Sequence, residues 1–222
     1  LIKEDTINLM QDYHMDSSAD LTIMTTLLKN PSGYGRIIKN EDSEIVKIIE
    51  EDDADQEEKM INEINSGIMC IDSKSLDQAL DSLDNNNAQN EYYLTDIVDY
   101  IKDNNGKILP FQIEDSEEIT GVNDRVNLSK AEKLLRGRIN KRHMENGVTI
   151  IDPETTYIDE KVEIGSDTVI YSFTYIEGNT KIGRHNTIKP HNHIIDCKIG
   201  NNNNIKNSNV IKNSEIENGC NI

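Results

Sequence analysis

The chain has 222 residues, 35% hydrophobic, 29% charged and 5% aromatic, with a formal net charge of −18. It is long enough for one large domain or two ordinary ones, and no apolar run approaches the ~20 residues of a membrane span. Residues 1–125 hold 29 Asp and Glu against 10 Lys and Arg, while residues 126–222 hold 12 against 13, so no basic surface suits nucleic acid.

An anionic ligand at the acidic half would need a local device such as Mg²⁺ or oriented backbone amides. Cys70, Cys197 and Cys220 form no CxxC pair and leave an odd count, which fits a reduced, cytoplasmic compartment and packing roles for the thiols.

In chain order, Thr6–His14 predicts a helix with Ile7, Leu9 and Met10 on its apolar side, and the Thr-rich run Leu21–Leu28 predicts a buried strand. Gly33-Tyr34-Gly35 punctuates. Strands are expected at Arg36–Lys39 and Ile45–Ile49 around a polar turn. A charged helix near Asp55–Ile61, a strand at Gly67–Ile71, helices near Leu76–Leu83 and Tyr92–Lys102, and a strand at Lys107–Ile113 complete an α/β pattern.

Residues 126–146 read as one connecting helix. Ser129 and Glu132 have the spacing of a capping box, Leu128, Leu135 and Ile139 give a partial apolar stripe, and Arg136, Arg138, Lys141 and Arg142 form a solvated basic cluster. Asn146-Gly147 is a suitable stop.

From Ile158 an isoleucine recurs at every sixth position through Ile194, and Ile199, Ile205, Val210, Ile216 and Ile222 continue the beat with two one-residue slips. No helix keeps one face with a six-residue step, whereas a parallel β-helix turns one aliphatic side chain inward per short strand. Gly165, Gly183, Gly200 and the Asn-rich run after Asn201 are expected at corners that need left-handed backbone. His191 and His193 read as a surface pair without a third metal ligand, and His185 as a corner residue.

Five further segments stand out: Gly33-Tyr34-Gly35-Arg36; Glu50 after Ile48-Ile49; Glu63-Ile64-Asn65-Ser66-Gly67; the block from Asn85 to Asp96 containing Ala88-Gln89 and Glu91-Tyr92-Tyr93-Leu94-Thr95-Asp96; and Gly121-Val122-Asn123-Asp124-Arg125. Singly each is weak. In this order and spacing they resemble the bacterial bifunctional N-acetylglucosamine-1-phosphate uridyltransferase / glucosamine-1-phosphate acetyltransferase family. The stretch Gly147–Pro153 with Tyr157-Ile158-Asp159 resembles that family's passage into its left-handed β-helix.

The resemblance implies an α/β fold: the C-terminal part of a Rossmann-like, mostly parallel nucleotidyltransferase domain over 1–125, a linker helix over 126–146, and the first coils of a left-handed β-helix of hexapeptide repeats over 147–222. It implies that Gly35 offers its backbone to a bound sugar nucleotide. Glu50 and Asn65 would hydrogen-bond the N-acetylglucosamine moiety, and Asn123 would bind UDP-N-acetylglucosamine and help hold Mg²⁺ through its amide oxygen. UTP and N-acetylglucosamine-1-phosphate are the implied substrates, with acetyl-CoA and a homotrimer in the complete protein.

The family's Gly-rich nucleotide loop, its phosphate-binding Lys and its Mg²⁺-binding Asp would precede Leu1, and its acetyltransferase centre would follow Ile222. Both chain ends read as cut, so the expectation is an internal fragment that catalyses neither reaction. A different sugar-1-phosphate nucleotidyltransferase with a β-helical tail, or a non-catalytic binding or oligomerisation module, is the alternative.

Overall fold

The computed structural model describes residues 1–222, which form two compact units, Leu1–Thr120 and Gly121–Ile222. No helix is long and apolar enough to cross a membrane.

The first unit runs α1 (Glu4–Ser17), β1 (Leu21–Leu27), β2 (Arg36–Lys39), β3 (Ile45–Ile49), β4 (Glu63–Ile71), α2 (Ser73–Leu80), α3 (Ile97–Asp103) and β5 (Ile108–Gln112). The sheet order is β3-β2-β4-β1-β5. It is mixed rather than mostly parallel: only β1 and β5 pair parallel, and the other pairs are antiparallel. The β2–β3 connection is too short for anything but a hairpin. Strand β5 tolerates Pro110 because it lies at an edge.

Interior strand β1 is buried on both faces. Leu21 and Ile23 pack with Ala79, Ile97, Val98 and Ile101, while Met24 packs with Met10, Ile64 and Ile119. Helices thus cover both faces of the sheet. The threonines that break the apolar run are satisfied: Thr22 Oγ1 meets His14 Nδ1 at 2.9 Å, Thr25 Oγ1 donates to Glu63 and Thr26 Oγ1 to the Ile113 carbonyl, each at 2.8 Å.

Several boundaries differ from expectation. The segment Asp55–Ile61 forms one 3-10 turn, Glu58–Met60, because it has no buried face to hold a longer helix. Strand β4 begins at Glu63, four residues before Gly67. Asp72 caps α2 by accepting from the Lys74 and Ser75 amides, which starts that helix early. Helix α3 begins only at Ile97, after a 3-10 turn at Leu94–Asp96.

The second unit opens with α4 (Arg125–Glu145), which is capped by Asp124 through its bond from the Asn127 amide at 2.6 Å. Ser129 therefore lies inside the helix, and the expected capping box does not form. Leu128 and Leu135 are exposed as well. What α4 buries is Ala131, Ile139, Asn140 and His143, and Asn140 Nδ2 clasps the carbonyls of Pro153 and Thr156. Part of the basic cluster is partnered: Arg136 lies over the Tyr157 ring and Arg142 pairs with Glu160.

Three four-stranded parallel sheets then form a left-handed β-helix. One sheet stacks Thr149–Ile150, Val169–Ile170, Thr187–Ile188 and Asn204–Ile205; the others begin at Thr156–Ile158 and Glu163–Ile164. Each sheet sends one isoleucine column inward: Ile150-Ile170-Ile188-Ile205, Ile158-Ile176-Ile194-Ile211 and Ile164-Ile182-Ile199-Ile216. Burying each contributes about 1.5–3 kcal/mol.

Two details of the ladder are corrected. Ile194 pairs with Ile211, so Ile211 points inward and Val210 is 68% exposed. Gly165, Gly183 and Gly200 do not have positive φ. They stack instead: a Cβ on Gly165 would lie 2.8 Å from the Gly183 carbonyl carbon, and one on Gly183 would lie 2.7 Å from the Gly200 oxygen. Left-handed corners fall to residues such as Asp167, His185, Asp196, Asn202 and Asn213.

Candidate functional site

The segment Gly33–Arg36 leads into β2, and Glu50-Glu51 follows β3, which pairs with β2 so that Arg36 faces Ile49. Arg36 is 1% exposed. Its guanidinium donates to the Tyr34 carbonyl and, at 2.7 Å, to Glu51 Oε2, which also accepts from the Gly33 amide at 3.2 Å. Bonding to Arg36 holds the Glu51 carboxyl below its ordinary range. This ion pair closes the glycine turn on itself.

Gly35 is set between two partners. Its carbonyl accepts from the Asn65 amide at 2.8 Å. A Cβ at Gly35 would lie 3.1 Å from Ile48 Cγ2 and 3.2 Å from Glu50 Oε2. Asn65 sits where the β1–β4 register shifts, between the pairs Ile23↔Met69 and Thr25↔Asn65. Its Oδ1 accepts from the amide of Gly67, whose φ of +79° makes the bulge possible. Gly35, Glu50 and Asn65, each fifteen residues from the next, are thus brought together.

Glu50 also borders a cleft of about 550 Å³ whose walls include Asp53, Asn86, Asn87, Tyr93 and Asp96. Burial raises the Asp96 carboxyl, helped by Asp99 and Asp84 nearby. Burial, and then Asp53 and Glu50, raise the Tyr93 phenol, whose buried hydroxyl has no hydrogen-bond partner. Carboxylates dominate the walls, with Lys47, Ile48 and Ile49 beside them, and their oxygens can accept hydrogen bonds from hydroxyl groups.

Asn123 lies in the other unit, exposed on the segment before α4. It offers a single amide oxygen, and no group of three His, Cys, Asp or Glu is arranged to hold a metal ion. The residues present do not on their own fit a magnesium site, which needs near-octahedral oxygen ligation. His193 Nε2 meets Glu177 at 2.7 Å, and His191 stacks on Phe173.

Sequence reasoning left Arg36, Glu51 and Thr95 without roles. The sign that an arginine follows the glycine turn opposite a strand ending in Glu-Glu was available, but burial of a guanidinium shows only in three dimensions.

Fold and site together define a two-unit protein of the hexapeptide-repeat class, with an α/β unit ahead of a left-handed β-helix. No family model matches the chain. It is 52% identical over 201 residues to the bifunctional protein GlmU of Caldanaerobacter subterraneus subsp. tengcongensis, 50% over 201 residues to that of Geobacillus sp. WCH70 and 49% over 200 residues to that of Clostridioides difficile strain 630. Each match covers 90% of this chain and 44% of the relative, so the chain spans less than half the length of the curated relatives it matches. Over nine-tenths of its length the chain is similar to bifunctional GlmU proteins.

Proposed function

We propose that these residues are part of a bifunctional transferase that makes UDP-N-acetylglucosamine for cell-wall synthesis. In this reading glucosamine-1-phosphate is acetylated from acetyl-CoA, and uridyl transfer from UTP to N-acetylglucosamine-1-phosphate follows with release of pyrophosphate. The observation that carries it is the meeting of Gly35, Glu50 and Asn65 at one strand junction, in a chain about half identical to GlmU proteins.

The chemistry this chain supplies is sugar recognition. Gly35 leaves its backbone open to close approach, Glu50 accepts hydrogen bonds from sugar hydroxyls, and Asn65 pairs with the acetamido group. Uridyl transfer is mostly positioning and electrostatics, and Mg²⁺ supplies charge neutralisation when bound. Asn123 would offer such an ion one amide oxygen, a hard ligand of the kind it takes. We assign residues 1–125 to the uridyltransferase domain, 126–146 to the linker and 147–222 to the acetyltransferase β-helix, which in the complete protein forms a cytoplasmic homotrimer.

The test is NMR titration of the ¹⁵N-labelled chain. N-acetylglucosamine-1-phosphate is expected to shift the Gly35, Glu50 and Asn65 amides at millimolar concentration, with glucose-1-phosphate weaker. Glu50→Ala is expected to abolish the shifts. A preference for glucose-1-phosphate would favour a different sugar-1-phosphate nucleotidyltransferase, and no response to either sugar would sink the site assignment. The isolated chain is expected to show no turnover of either reaction; measurable uridyl or acetyl transfer would overturn that expectation.

A further inference from the structure

The block Asn85–Asp96 carries the most specific part of the family resemblance, yet Gly35, Glu50 and Asn65 all lie outside it. The structure ties it to the turn that carries Glu50. The Ala88 amide donates to Asp53 Oδ1 at 3.1 Å, Gln89 Nε2 donates to Asp52 Oδ2 at 2.6 Å, and Thr95 Oγ1 donates to Glu50 Oε1 at 3.1 Å.

Thr95 is the inward member of its stretch. It is 8% exposed, whereas Tyr92 and Leu94 are 68% and 50% exposed. Its backbone is fixed by the 3-10 turn Leu94–Asp96, in which the Asp96 amide bonds the Tyr93 carbonyl at 3.1 Å. The two oxygens of Glu50 are therefore distinguished: Oε1 is engaged by Thr95, and Oε2 is the one beside Gly35. The terminal torsion of a glutamate is broad and nearly two-fold, so a single carboxylate at a strand end would otherwise rotate.

We propose that Thr95 is a positioning residue for sugar recognition. Its hydroxyl holds the Glu50 carboxylate so that Oε2 faces Gly35 as the acceptor for a sugar hydroxyl. The inference rests on the assignment of Glu50 to the sugar. It gives the Asn85–Asp96 block its role: Ala88 and Gln89 clamp the turn, and Thr95 orients the carboxylate that follows it.

The experiment compares the wild-type chain with Thr95→Val, which keeps the shape and removes the donor, and Thr95→Ser, which keeps the donor. Two quantities are read by NMR: the Glu50 side-chain carboxyl resonance without ligand, and affinity for N-acetylglucosamine-1-phosphate. Thr95→Val is expected to move the carboxyl resonance and weaken binding roughly three- to ten-fold, the effect of one lost hydrogen bond. Thr95→Ser is expected to restore both, and the melting temperatures should stay close together.

An unmoved carboxyl resonance in Thr95→Val overturns the proposal, as does wild-type affinity in that variant or failure of Thr95→Ser to rescue. Sugar binding lost in Glu50→Ala but intact in Thr95→Val would overturn the positioning role alone. No binding by the wild-type chain would instead overturn the assignment of Glu50, and the positioning role with it.

Discussion

A single methyl group at Gly35 would press on both Ile48 and the Glu50 carboxylate. The position has ordinary backbone conformation, so Gly35→Ala tests space rather than strain. We expect a stability loss of about 1–3 kcal/mol from overpacking and a loss of N-acetylglucosamine-1-phosphate binding of roughly tenfold or more. Urea denaturation and NMR titration measure the two separately, and unchanged affinity would show that Gly35 does not border the sugar. At this scale Gly35, Glu50 and Asn65 stood out only through the family resemblance of the motifs that carry them, since each motif alone is weak. The Arg36–Glu51 pair and the Thr95 hydroxyl did not, because their meaning lies in contacts across strands and turns. Asn90 is a middle case: its φ of 56° lies in the left-handed region, which asparagine tolerates better than most residues.

Among elements, the β-helix depends on polar columns as well as on isoleucine. Asn186 is fully buried; its Nδ2 donates to the Gly200 carbonyl at 2.9 Å, and its Oδ1 accepts from the Asn203 amide at 2.9 Å. Thr168 below and Asn203 above extend the column, since the Asn186 amide donates to Thr168 Oγ1 and the Cys220 amide to Asn203 Oδ1. Asn186→Ala would strand a buried donor and a buried acceptor, each costing about 1–3 kcal/mol. Chemical denaturation of the second unit should therefore show a loss of roughly 2–6 kcal/mol, and a loss below about 1 kcal/mol would mean that the column does not hold the coils. The six-residue beat made the architecture plain from sequence. Inside the Asn-rich run the chemistry was harder to read: asparagine serves both left-handed corners, as at Asn202 and Asn213, and internal columns, as at Asn203. Composition does not separate the two uses. Periodicity also misplaced one inward residue, because Val210 and Ile211 are adjacent aliphatics and only strand pairing decides between them.

Across the whole molecule, charge divides the chain more sharply than hydrophobicity. Residues 1–125 carry 29 acidic against 10 basic side chains, and residues 126–222 carry 12 against 13. Self-repulsion within the acidic part is screened over about 10 Å at 0.1 M salt. Hydrogen-exchange protection in the first unit should therefore rise as NaCl is raised from about 0.02 to about 0.5 M, while the second unit changes little. Equal responses of the two units, read by peptide-resolved mass spectrometry, would count against this account. The mixed sheet was the least legible feature at this scale, because strand direction depends on which strands pair and not on the pattern within each.

The two short steps in the isoleucine ladder fall at one place. Ile158 to Ile164 and Ile176 to Ile182 each span six residues, while Ile194 to Ile199 and Ile211 to Ile216 each span five. The shortened corners lie one above the other, with Asp196 and Asn213 each taking the left-handed turn and the Asn213 amide bonded to the Ile195 carbonyl below. Once the third coil has lost a residue at this corner, the fourth stacks on it with the same five-residue step, so a length change survives where the corner above can pair with the corner below.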